Sequence, residues 1–166
     1  MTLDAKAEIE SAHRLGPDDF DWVLPLNVLH EVELSPLSRE QLGQLVGAAF
    51  LAAGIGKSAF LIAFDENSDY NSPNFLWFRE RLPRFVYVDR VAVSAKARGR
   101  GLARLLYEEL FAKARREGHA CVVCEVNLDP PNLASDAFHR RLGFEQIGAA
   151  LLPDRGKQVR YLRKQL

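Results

Sequence analysis

Two cysteines are all that this chain of 166 residues contains, so no disulfide framework can hold it together. Cys121 and Cys124 lie in the run Ala120-Cys-Val-Val-Cys-Glu-Val-Asn127, whose β-branched content reads as a buried strand. Residues three apart on a strand point to opposite faces, so the pair is poorly placed to share a bond or a metal ion. A redox Cys-x-x-Cys would instead open a helix, where free N–H groups stabilise a thiolate. His13, His30, His119 and His139 show no metal-ligand spacing, and no metal site is expected.

An excess of either charge is also missing. Twenty-two basic residues balance 22 acidic ones and the pI is near 6.9, so no global field recruits nucleic acid or an anionic membrane. No apolar run approaches the length of a membrane span. The opening Met-Thr-Leu-Asp-Ala-Lys-Ala-Glu lacks the apolar core of a signal peptide, so a cytoplasmic protein is expected. Repeats and low-complexity tracts are absent. With 48% hydrophobic residues, residues 1–166 suit one domain with one substantial core.

What the chain does have is Arg98-Gly99-Arg100-Gly101-Leu102-Ala103, set between an apolar strand-like run, 85–93, and an amphipathic helix-like run ending at Gly118. Glycines at 99 and 101 allow positive φ and close approach to a ligand, and the first N–H groups of the following helix have no partner within it. Those donors, the positive end of the helix dipole, and the charges of Arg98 and Arg100 suit a phosphate or pyrophosphate. A P-loop is excluded because no lysine and hydroxyl follow the glycines. A dinucleotide fingerprint starting at Gly99 fails at its third position, which is Arg104.

Arg98, Gly101 and Ala103, preceded by the strand Val91-Ala92-Val93, resemble the [Gln/Arg]-x-x-Gly-x-[Gly/Ala] signature of the GNAT acyltransferase superfamily. A second segment, Asn132-Leu-Ala-Ser135-Asp-Ala-Phe138-His139-Arg-Arg-Leu142-Gly143-Phe144, is similar to a later motif of the same superfamily. It departs at His139, where many members have tyrosine. The resemblance covers Phe85 to about Phe144, and the N-terminal half only by element order.

The resemblance implies an α/β fold: one GNAT-like domain with a mixed sheet flanked by helices and a central strand-loop-helix cofactor cradle. Residue patterns fill in the elements. A strand is expected over 7–15, and two short helices over 17–34 because Pro25 should interrupt one. A capped helix is expected from Ser38 to about Ala48, and a hairpin from strands 50–55 and 59–64. The polar then aromatic stretch 65–84 should hold a short helix at Ser72-Pro73. Strand 85–93, helix 101–117 and strand 120–127 form a unit with parallel strands, followed by a helix over 133–142 and a hairpin of 144–151 and 157–164.

The resemblance also implies acetyl-CoA as cofactor, its pyrophosphate on Arg98, Gly99, Arg100, Gly101, Leu102 and Ala103 and its pantetheine arm beside Val91, Ala92 and Val93. Asn132, Ser135 and His139 share one helical face open to the cofactor, with Phe138 in the same motif. In the family, the residue at the His139 position is often proposed to protonate the leaving thiolate, and imidazole can do so near neutral pH; packing beside the cofactor is the other reading. Asp89 and Glu125 are both candidate general bases, and Asp89 can instead pair with Arg90.

The expected reaction is transfer of an acetyl group to the primary amine of a small molecule or exposed amino group by direct attack in a ternary complex. The alternatives are a non-catalytic acetyl-CoA-binding module, or an interaction module using the aromatic 70–85 segment as a docking or homodimer surface. Residues 65–84 are expected to supply an acceptor-side wall, with acidic residues for an ammonium group and Tyr70, Phe75, Trp77 and Phe78 around its carbons.

Overall fold

The computed structural model describes residues 10–166, in which seven strands form one sheet. Strand β1 covers Ala12–Arg14, β2 Leu51–Ile55, β3 Ala59–Asp65, β4 Val86–Val93, β5 Cys121–Asp129, β6 Glu145–Leu152 and β7 Lys157–Gln165. Their order is β1-β2-β3-β4-β5-β7-β6, antiparallel except between β4 and β5. The helices are α1 Phe20–Val28, α2 Arg39–Ala48, α3 Pro73–Arg79, α4 Leu102–Arg116 and α5 Leu133–Arg141. This is the mixed, helix-flanked sheet expected, with parallel β4 and β5 joined through α4.

Local chemistry explains the boundaries. Ser38 accepts a hydrogen bond from Gln41 N while the Gln41 side chain accepts one from Ser38 N, closing a capping box that starts α2. Ser72 caps α3 with Pro73 as its first helical residue. Two expectations need correction. The first strand is shorter than 7–15, with residues 7–9 outside the described region. Pro25 lies inside a continuous α1 rather than dividing two helices. The hydrogen bond that Pro25 cannot make is to Asp21, whose exposure leaves that carbonyl open to water.

The sheet divides the core into two layers. Leu102, Leu106, Leu110 and Phe111 of α4 pack on Val86, Val88, Val122 and Cys124 on one face. On the other, Phe20, Val23, Leu42, Phe75 and Phe78 pack on Phe60, Ile62, Tyr87, Val123 and Tyr161. Each fully buried side chain of this size stabilises the fold by about 1.5–3 kcal/mol. Cys121 and Cys124 fall in opposite layers, and both are free thiols.

Candidate active site

Strands β4 and β5 pair only at Val86 with Val122 and Tyr87 with Val123, and then part. Main-chain groups from Val88 onward on β4 therefore face a split rather than a neighbouring strand. A cleft of about 620 Å³ opens on the α4 and α5 face, and one of about 340 Å³ on the opposite face. Glu33, Leu34, Asp89, Arg90, Glu125 and Asn127 line both, so the two clefts meet at the split.

The larger cleft brings together most of the cofactor residues read from sequence. Val91, Ala92, Val93, Arg98, Gly99, Ala103, Asn132, Ser135, Phe138 and His139 all line it. Gly99 and Gly101 have φ of 79° and 75°, the left-handed region that favours glycine, and a Cβ on either would meet nothing within 4 Å. The loop therefore leaves open space before the free N–H groups of α4, as an anion cradle requires. Arg98 has no ion-pair partner among the described residues, whereas Arg100 pairs with Glu10. Leu102 turns its side chain into the core, so only its main chain is available to a ligand.

His139 is buried with both ring nitrogens engaged. Nδ1 lies 2.7 Å from the Ser135 carbonyl and so donates to it, which leaves Nε2 to accept from the Tyr107 hydroxyl at 2.6 Å. Burial lowers the pKa of His139, partly offset by the bond to Ser135, so the ring is neutral at pH 7. Asn132 caps α5 by accepting from Ser135 N, which fixes the polar face expected for this helix. Tyr107, which also lines the cleft, is a residue that sequence reasoning missed. A phenol among aliphatic core positions of α4 was the available signal, because a buried hydroxyl needs a partner.

At the split the two carboxylates differ. Opposite Ile62 and Ala63 of β3 stand Arg90 and Val88, so Asp89 is the extra residue of a β-bulge. The bulge puts Asp89 and Arg90 on the same face, where Arg90 Nε donates to Asp89 at 2.7 Å and the Tyr70 hydroxyl donates to it at 2.6 Å. Arg90 also donates to Asn27 and to the Ser35 carbonyl, tying the loop after α1 to the site. Asp89 is thus neutralised by its own neighbour, the pairing weighed from sequence.

Glu125 has no ion-pair partner among the described residues. Desolvation pushes its pKa up to about 7, against the lowering effect of a 2.8 Å hydrogen bond from the Tyr87 hydroxyl and one from the Asn74 side chain. The Tyr161 hydroxyl donates to Asn74 Oδ1 at 2.9 Å, which turns the Asn74 amide N–H groups toward Glu125. Tyr70 was expected on the acceptor wall, but Tyr87, Asn74 and Tyr161 were missed, because they converge here from distant parts of the chain.

The 65–84 stretch contributes less to this site than expected. Tyr70, Ser72 and Asn74 line the smaller cleft, but Phe75 and Phe78 are core residues and Trp77 stacks on Tyr161 with ring centroids 4.1 Å apart. A Cβ on Gly148 would come within 2.5 Å of the Trp77 ring, so that glycine makes room for the stack. The other walls are the loop after α1 (Glu31, Glu33–Pro36) and the β6–β7 hairpin (Leu152, Arg155, Lys157). Of the aromatics of the 70–85 segment, Phe75, Phe78 and Phe85 are buried, and Tyr70 and Trp77 are half-buried.

A family model described as the acetyltransferase (GNAT) family matches residues 8–144. The chain is 31% identical over 102 residues to an L-2,4-diaminobutyric acid acetyltransferase of Wolinella succinogenes, a match covering 60% of this chain and 59% of that protein. The fold is similar to that of yncA from Salmonella typhimurium, solved with its cofactor acetyl-CoA (TM-score 0.70, 18% identity, 95% of this chain and 94% of the other). It is also similar to Arabidopsis thaliana NAA60 in complex with a bisubstrate analogue (TM-score 0.71, 14% identity, 93% and 96%). No helix among the described residues is long and apolar enough to cross a membrane.

Proposed function

The chain belongs to the acetyltransferase (GNAT) family, and from that premise we propose that it acts as one domain that transfers the acetyl group of acetyl-CoA to a primary amine. The acceptor is a small molecule or an exposed amino group, attacking directly while both substrates are bound. The observation that carries this reading is the meeting of two clefts at the split, with an uncompensated carboxylate, Glu125, at the junction. Two reactants held on opposite faces of a sheet can meet there at high effective concentration.

The residues present fit the cofactor. Gly99, Gly101 and the first N–H groups of α4, with Arg98, would hold the pyrophosphate, and the open β4 edge at Val91–Val93 would pair with amide groups of the pantetheine arm. When bound, acetyl-CoA supplies an activated thioester. Glu125 is the general base: a pKa near 7 lets it take a proton from an ammonium group and remain ionised in much of the population. Asp89, held by Arg90 and Tyr70, shapes the split. His139, its one N–H on the Ser135 carbonyl and its Nε2 accepting from Tyr107, has no proton to give the departing sulfur; it packs on the cofactor side and holds the Tyr107 hydroxyl in place, and the thiolate takes its proton from solvent.

The Wolinella succinogenes relative, by name an acetyltransferase of a diamino acid, supports a small amine as acceptor. Balanced charge and two free cysteines support a cytoplasmic setting. The reading is tested by following free thiol from acetyl-CoA with a panel of amines and amino-terminal peptides. Amine-dependent release of coenzyme A is expected. Acetyl-CoA binding without release for any amine would leave the non-catalytic binding module.

A further inference from the structure

The smaller cleft carries charges of both signs that do not neutralise one another. Glu31 and Glu33 stand on the loop after α1, and neither has an ion-pair partner among the described residues. Across the cleft, on the β6–β7 hairpin, stand Arg155, equally unpaired, and Lys157, whose Nζ donates to the Val32 carbonyl at 2.5 Å. That bond ties the two walls together between the two glutamates, without pairing the lysine with either. Deeper in, Asp89 and Arg90 cancel each other, which leaves Glu125 at the split.

Glu33 lines both clefts and so lies at the reacting end, whereas Glu31, Arg155 and Lys157 line only the smaller one. With Glu125 ionised, three carboxylates face two free cations, and the lining is negative by one charge. A ligand that satisfies every group has an ammonium at the split and, at its other end, both an ammonium and a carboxylate. Its net charge is positive by one. The volume of about 340 Å³ suits a molecule of that size.

Resting on the acetyl-transfer reading, we infer that the acceptor is a small α,ω-diamino monocarboxylic acid, with its reacting amine at Glu33 and Glu125 and its amino-acid end between Glu31 and the Arg155–Lys157 wall. Glu31 takes the second ammonium. Arg155 and Lys157 take the carboxylate, by charge-assisted hydrogen bonds that a plain diamine cannot form. The amino terminus of a peptide with uncharged leading side chains offers no carboxylate beside its amine.

The test compares kcat/KM for L-2,4-diaminobutyrate and L-ornithine with that for 1,3-diaminopropane, γ-aminobutyrate and an alanine-first peptide, in the native chain and in Arg155→Gln and Glu31→Gln. Both changes are at exposed positions, so folding is not at stake. A diamino acid is expected to exceed both single-feature amines by about tenfold or more. In Arg155→Gln its advantage over 1,3-diaminopropane should fall by a similar factor, and in Glu31→Gln its advantage over γ-aminobutyrate should do so. Preference for the diamine or the peptide, or advantages unchanged in both variants, would overturn the inference while leaving acetyl transfer in place. If no amine is acetylated, the transfer reading fails and calorimetry with L-2,4-diaminobutyrate alone decides: Arg155-dependent binding supports this site, and no binding overturns it.

Discussion

The two clefts that meet at the β4–β5 split are built in opposite ways. The larger draws half of its lining from two continuous stretches, 91–103 and 132–139, which present an open strand edge, two positive-φ glycines and a helix N-terminus. The smaller is made of side chains gathered from the loop after α1, the 65–84 stretch, two strands and a hairpin. A ligand common to many proteins can be held by backbone geometry, whereas selection of one amine needs charges that each chain chooses for itself.

The sharpest way to break this comparison is at the junction. Glu125→Gln should lower kcat by roughly 10²–10⁴-fold with acetyl-CoA affinity retained. In the native chain, kcat/KM should rise with pH through about 7 as Glu125 loses its proton, and the variant should lose that rise. The same group makes a stability prediction. Its folded pKa is raised from 4.5 to about 7, so its stabilising contribution is complete below about pH 4.5 and is lost as pH rises through 7. Glu125→Gln should therefore be more stable than the native chain at pH 8, by up to about 3 kcal/mol, and not at pH 4. A variant less stable at pH 8 would contradict the desolvated-carboxylate account.

Trp77→Ala separates wall from core. Loss of the stack on Tyr161 should cost about 3 kcal/mol in denaturant unfolding, with KM for the amine little changed. A raised amine KM at unchanged stability would return Trp77 to the acceptor wall.

On the cofactor side, His139→Ala should lower kcat only a few-fold, through loss of the partner of the Tyr107 hydroxyl, with acetyl-CoA affinity similar. A loss of about a hundredfold or more would return His139 to proton transfer. The smallest effect is expected from Tyr161→Phe, which frees the Asn74 amide to turn away from Glu125. The acid limb of the pH profile should move up by a few tenths of a unit.

Legibility in the sequence followed the same division. Caps such as Ser38 and Ser72, the parallel strand-helix-strand unit and the glycine loop are set by neighbours a few residues away, so they could be read directly. Pro25 misled because whether a proline ends a helix depends on the solvent access of the carbonyl it leaves unpaired. Of the carboxylates, Asp89 and Glu125 looked alike as strand residues. Only the bulge that brings Arg90 beside Asp89, and the tyrosines from distant positions around Glu125, separate their roles. The Glu31–Arg155 opposition spans most of the chain and has no local signature.

The central claim, that each cleft holds its own substrate, is tested most directly by calorimetric titration of acetyl-CoA into the native chain, Gly101→Val and Tyr70→Phe. Gly101→Val forces a β-branched residue into positive φ at the cradle, while Tyr70→Phe removes a hydroxyl from the opposite cleft. Gly118→Val, at a φ of 80° remote from both clefts, controls for backbone strain alone. The account predicts binding weakened at least about tenfold in Gly101→Val and unchanged in the other two. Equal affinity in all four proteins, or a loss confined to Tyr70→Phe, would contradict it.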